Sequence, residues 1–213
     1  WRVKRRKLRF RLALLEYPYD YRDVHYCYGM SRAYHGANLL FPWLARREMR
    51  SKELREITAS ELETGIRQIY GQARIPLPAS EKDLVFFFDL MNRYKNPANI
   101  RRIVETLMED ARKSGRTVLL KYHPRETEKF PPMQGCFEIP HLIPAEKVLL
   151  DLARQDVIVV GNATTSCVVA AKLGFRVASV CKLEFPANTK MHTIMDQMGI
   201  FCMEDASDMN AIF

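Results

Sequence analysis

His123 is the residue whose neighbours best equip it for chemistry. It stands in VLLKYHPRE, residues 118–126, directly after an apolar run and directly before a proline. Pro124 biases His123 towards extended backbone, which holds the imidazole at the tip of a strand. Lys121 and Arg125 flank it with positive charge. An imidazole in this setting can hydrogen-bond or protonate a phosphate oxygen. A lone histidine at a strand end is an ordinary structural feature, so the second strand end matters. Residues 157–174 read VIVVGNATTSCVVAAKLG. Gly161 lets backbone approach a ligand closely, and Thr164, Thr165 and Ser166 open a small apolar helix. One hydroxyl suffices to cap a helix; a run of them at a helix N-terminus suits an anion. Glu146 opens the helix between the two motifs, where the dipole favours it and where it can accept hydrogen bonds from ribose hydroxyls.

These residues need a parallel sheet to bring them together. Leu84–Phe88, Val118–Tyr122, Phe137–Ile139, Val157–Val160, Val177–Val180 and Phe201–Met203 read as strands, and Leu84–Phe88 is a continuous apolar run, typical of a strand buried on both faces. Helices are expected between them. Asn96 caps one whose first residue is Pro97, with Ile100, Ile103, Val104, Leu107 and Ala111 on one face and Gly115 as its stop. Pro144 opens another with Val148, Leu149 and Leu152 inward. Others cover 165–173, 189–198 and 206–213. Alternation of this kind predicts an α/β, Rossmann-like parallel sheet with helices on both faces, in which both strand ends open on the ligand-binding edge.

Before this region the pattern is different. Residues 12–50 read as irregular, with a short strand or two. Ser60-Glu61-Leu62-Glu63 is a capping-box pattern, with Ser60 as N-cap, for a helix ending at Gly71. Pro76 and Pro78 mark a linker over 71–81. The expected organisation is therefore 1–80, an incomplete N-terminal domain and linker, and 81–213, a nucleotide-binding domain. His25 and His35 have no partner at metal-like spacing.

Lys+Arg number 33 against Asp+Glu 25, a net charge of +8 that favours acidic partners. Residues 1–11, WRVKRRKLRFR, concentrate that charge among Trp1, Val3, Leu8 and Phe10. They form either a solvated basic helix or linker, or a peripheral contact with an anionic membrane face or a polyanion. The five cysteines form no CxxC pair, which fits reduced thiols in a cytoplasmic protein. No run of ~18 apolar residues and no signal-peptide pattern is present. GxGxxG, GxxxxGK[ST] and HExxH are all missing, which argues against a dinucleotide enzyme of the usual kind, a P-loop NTPase and a zincin.

The ordered trio of K-x-H-P at Lys121–Pro124, P-x-E at Pro144–Glu146 and a Thr/Ser pair at Thr165–Ser166 resembles bacterial sialyltransferases of the GT-B fold, of lipooligosaccharide and capsular polysialic acid type. The resemblance covers residues 80–205. It implies a metal-independent, inverting transfer from CMP-sialic acid to a surface glycan, with no cofactor and no nucleic-acid partner. It implies His123 as the group acting on the leaving phosphate. Lys121, Pro124, Gly161, Thr164, Thr165 and Ser166 are expected around the donor nucleotide, with Glu146 on its ribose. The family's acceptor base, in an acidic pair followed by glycine, has no counterpart here. That is expected if the chain starts downstream of it.

Two other functions fit the same residues. A CDP-glycerol polymerase or a capsular Kdo transferase shares the His-Pro and the hydroxyl-rich helix start, although Gly161-Asn162-Ala163-Thr164-Thr165-Ser166 differs from the Asp-Tyr-Ser-Ser of the former. A non-catalytic nucleotide- or polyanion-binding domain would instead bind with steep salt dependence and no preference for cytidine.

Overall fold

Short apolar segments build the sheet that dominates the chain. The computed structural model describes residues 36–44, 53–71, 74–78, 82–88, 94, 96–127, 129, 135–152, 156–162, 164–205 and 207–208. The chain divides into two units, Trp1–Thr58 and Ala59–Phe213. In the first, β1 (Gly36–Leu39) pairs in parallel with β2 (Glu53–Glu56). The polar sequence Glu-Leu-Arg-Glu of β2 carries no alternation that would mark it as a strand. The basic segment 1–11, His25 and His35 lie outside the described residues.

The second unit starts with α1 (Ala59–Tyr70). Ser60 is the second residue of that helix rather than the residue before it, and Glu63 accepts from Arg67 Nη2 at 2.8 Å, one turn on. The helix packs on the later part of the unit, and the Ile75 N–H donates to Asp151 Oδ2 at 2.7 Å. Ile75, between α1 and β3, is thereby tied to the unit Ala59–Phe213, to which it belongs.

Then follow β3 (Asp83–Phe87), α2 (Pro97–Lys113), β4 (Thr117–Lys121), β5 (Cys136–Ile139), α3 (Ala145–Asp151), β6 (Ile158–Gly161), α4 (Thr165–Lys172), β7 (Arg176–Ser179), α5 (Cys181–Glu184), α6 (Thr189–Gln197) and β8 (Ile200–Cys202). Asn96 caps α2 by accepting from the Asn99 N–H at 3.1 Å. Gly71, Gly115 and Gly174 follow helix ends at positive φ, as expected for stops. The four-residue α5 carries no sequence signal. The helix expected over 206–213 falls almost wholly outside the described residues.

The six strands lie in the order β5-β4-β3-β6-β7-β8, all parallel. This is the doubly wound, Rossmann-like order, in which the direction of winding reverses between the first strand and the fourth. Here that switch point falls between β3 and β6. Leu84, Phe86, Val118, Leu120, Ile158 and Val160 face α2, whose Ile100, Ile103, Val104 and Leu107 complete one core. The alternate residues Val85, Phe87, Leu119, Lys121 and Val159 face the other way, where α4 covers β6 and β7 and α3 packs beside α4. Among the described residues no helix is long and apolar enough to cross a membrane.

Candidate functional site at the carboxyl edge of the sheet

The chain turns sharply once β4 ends. The Glu126 N–H donates to the His123 carbonyl at 2.9 Å, closing a four-residue turn with Pro124 at its second position, where a proline is pre-set. Inside that turn His123 Nδ1 accepts from the Arg125 N–H at 3.1 Å. An accepting Nδ1 puts the proton of the neutral imidazole on Nε2. The turn thus orients a ring whose Nε2–H is a donor. Pro124 is exposed and acts through the backbone.

Lys121 is the last residue of β4 and only 2% exposed. Its Nζ donates to the Tyr122 carbonyl at 2.7 Å and to the His141 carbonyl at 2.9 Å. Burial pushes its pKa down to about 8; Glu146 opposes that shift and Lys129 adds to it. On the other side of the sheet Tyr122 stacks on Phe88, ring centroids 4.6 Å apart. The peptide ahead of His123 is therefore held from both faces.

Glu146 lies in the first turn of α3, after the turn in which the Ile143 N–H donates to the Pro140 carbonyl at 3.1 Å. Its charge acts on Lys121 and also on Tyr70, at the end of α1. Burial, then Glu146, raises the Tyr70 phenol above its ordinary range. Tyr70 is a neighbour of this site that no sequence motif marks. The rest of α3 is anchored by the buried ion pair of Lys147 with Asp151, 2.8 Å long.

The second strand end divides its work. Thr164 is the N-cap of α4, its Oγ1 accepting from the Cys167 N–H at 3.4 Å. Thr165 and Ser166, the first two helical residues, have side chains and backbone N–H groups with no hydrogen-bond partner among the described residues. Open N–H groups and hydroxyls at a helix start are an anion-binding arrangement. Gly161 serves the interior: a Cβ there would stand 2.8 Å from Cys167 Sγ and 3.1 Å from the Phe87 carbonyl oxygen. Its lack of a side chain is explained by helix–strand packing without a ligand.

All these groups lie on one edge. His123 follows β4, Thr165 and Ser166 follow β6, and both strands flank β3. Two strand spacings separate the two strand ends by about 10 Å, with the switch point between them. Glu146 enters from β5, beyond β4. A separate cleft of about 750 Å³ lies on the α2 side, lined by Asn99, Arg102, Asp110, Leu183, Glu204 and Ser207 among others, and none of the motif residues line it. Among the described residues no group of three or more His, Cys, Asp or Glu could hold a metal ion.

Comparison of the chain with known proteins finds no family model, no curated relative and no solved structure that matches it.

Proposed function

We propose that this chain carries the donor-nucleotide side of an inverting glycosyltransferase of GT-B type, a sialyltransferase that uses CMP-sialic acid to modify a bacterial capsule or lipooligosaccharide. The observation that carries this reading is the shared edge: His123, Glu146 and the Thr165–Ser166 helix start all follow carboxyl ends of one parallel sheet, around its switch point. The resemblance of the ordered motifs adds the cytidine and the sugar.

In this reaction the bond between the anomeric carbon and the phosphate oxygen breaks, and its electron pair leaves with CMP. The acceptor hydroxyl oxygen bonds to that carbon from the opposite face. Its proton passes to a base, which the resemblance assigns to an acidic pair followed by glycine, a pattern these 213 residues lack. Negative charge grows on the departing phosphate. The Nε2–H of His123 donates to it, and the open N–H groups of α4 spread it. Because the Arg125 N–H occupies Nδ1, hydrogen-bond donation from neutral His123 is favoured over full proton transfer. Glu146 accepts from the ribose hydroxyls.

The test is thermal unfolding with CMP, UMP, AMP and CDP in parallel. CMP should raise the melting temperature most; a ligand at 100 times its Kd stabilises by ~2.7 kcal/mol. Equal shifts would leave a nucleotide site and remove the sialyltransferase reading. Shifts that vanish with modest salt for every nucleotide would favour a polyanion-binding domain.

A further inference from the structure

We infer that Lys121 is a positioning residue: its one buried ammonium fixes together the peptide that presents His123 and the turn that launches the helix carrying Glu146. The two segments are separate. One is the Tyr122 carbonyl, immediately before His123; the other is the His141 carbonyl, in the turn before α3. Lys121 Nζ is hydrogen-bonded to both. A lysine has three rotatable donors on a long stem, so one side chain reaches two carbonyls that point from different segments.

The surroundings make this pin matter. The Tyr122 peptide has other supports, since Tyr122 stacks on Phe88 and the Phe88 N–H donates to the Lys121 carbonyl at 2.8 Å. The His141 turn is more open, with Leu142 76% exposed. Lys121 Nζ ties it to β4 beyond the strand ladder. A buried ammonium is costly unless its donors are satisfied, and here two of three are spent on carbonyls. At 2% exposure the side chain also lies too deep to be a surface phosphate ligand. Of the charged groups that act on it, Glu146 attracts and Lys129 repels.

The nucleotide arm of the test rests on the proposed function; the exchange arm does not. Amide hydrogen exchange is followed in wild type, Lys121→Met and Lys121→Arg without ligand. Calorimetry then gives the affinities of cytidine and of CMP for each. In Lys121→Met, exchange should quicken by about tenfold, the effect of one lost buried hydrogen bond, over both 122–127 and 140–148. The β3 and β6 ladders should stay as protected as in wild type. Lys121→Arg keeps charge and donors and should restore both segments in part. Cytidine and CMP should both weaken, CMP at least as much, because Lys121 positions Glu146, on the ribose, and His123, on the phosphate. If cytidine affinity is unchanged, Lys121 does not position the Glu146 side and the inference is wrong. If exchange quickens in one segment alone, or in neither, the coupling is absent and the inference is wrong. Lys121→Gln, whose shorter amide cannot span both carbonyls, replaces the methionine variant if that does not fold, with the same expectations. A wild type that binds neither cytidine nor CMP overturns the transferase reading and leaves the exchange result to decide on Lys121.

Discussion

Gly161 and Cys167 are packed so closely that a methyl group on Gly161 would stand 2.8 Å from the Cys167 sulfur. Gly161 ends β6 and Cys167 is in the first turn of α4. The contact therefore sets how far the helix start lies from the strand that delivers it. Gly161→Ala should destabilise the protein by ~1–3 kcal/mol, the usual cost of overpacking. Adding Cys167→Ala should recover part of that loss, but not all, since the Phe87 carbonyl oxygen stays 3.1 Å from the new methyl. Urea unfolding of the two single variants and the double variant measures this coupling. Additive losses would mean that the two residues do not share the contact.

The three hydroxyls of Thr164, Thr165 and Ser166 should separate by role. Thr164→Ala removes the cap of α4 and should cost about 1 kcal/mol of stability. Thr165→Ala and Ser166→Ala should change stability by less than about 0.5 kcal/mol, yet each should weaken CMP binding. Paired unfolding and calorimetry on the three variants check the division. A Thr164→Ala protein of normal stability and impaired CMP binding would reverse it.

Lys121 should leave a signature in the dependence of stability on pH. Its folded pKa, about 8, lies below the ordinary 10.5 because burial disfavours the charged form. Between these two values the unfolded chain binds more protons than the folded one, so stability contributed by this group rises with pH there. Relative to Lys121→Met, wild type should gain up to about 3 kcal/mol between pH 7.5 and pH 10.5, at ~1.4 kcal/mol per pKa unit. Parallel unfolding curves across that range would show that Lys121 titrates as an exposed lysine does.

Most of the sheet is legible in the amino-acid sequence because its strands are buried on both faces. Leu84–Phe87 and Ile158–Val160 are apolar without interruption, as strands buried on both faces are. Helix ends are legible where Asn96, Pro97 and Gly115 mark them. What escapes sequence reading depends on tertiary partners. β2 is a polar strand defined by its pairing with β1. Ser60 looks like a cap, but the helix already starts at Ala59. In the site, the order His123, Glu146, Thr165 is visible as motif spacing. The burial of Lys121 is not, since a lysine at a strand end looks solvated until the His141 carbonyl is found 2.9 Å away. Gly161 shows a further reason that its flanking sequence does not reveal, the steric need for a residue without a side chain against Cys167 and the Phe87 carbonyl.

One ligand shared by three separated segments is the core of the proposal, and exchange protection by CMP tests it directly. With wild-type protein and saturating CMP, amide exchange should slow over 122–127, 140–148 and 162–168 together, while β8 and α6 keep their unliganded rates. Protection confined to a single one of these segments, or found only in the basic residues 1–11, would contradict a common nucleotide site at the carboxyl edge.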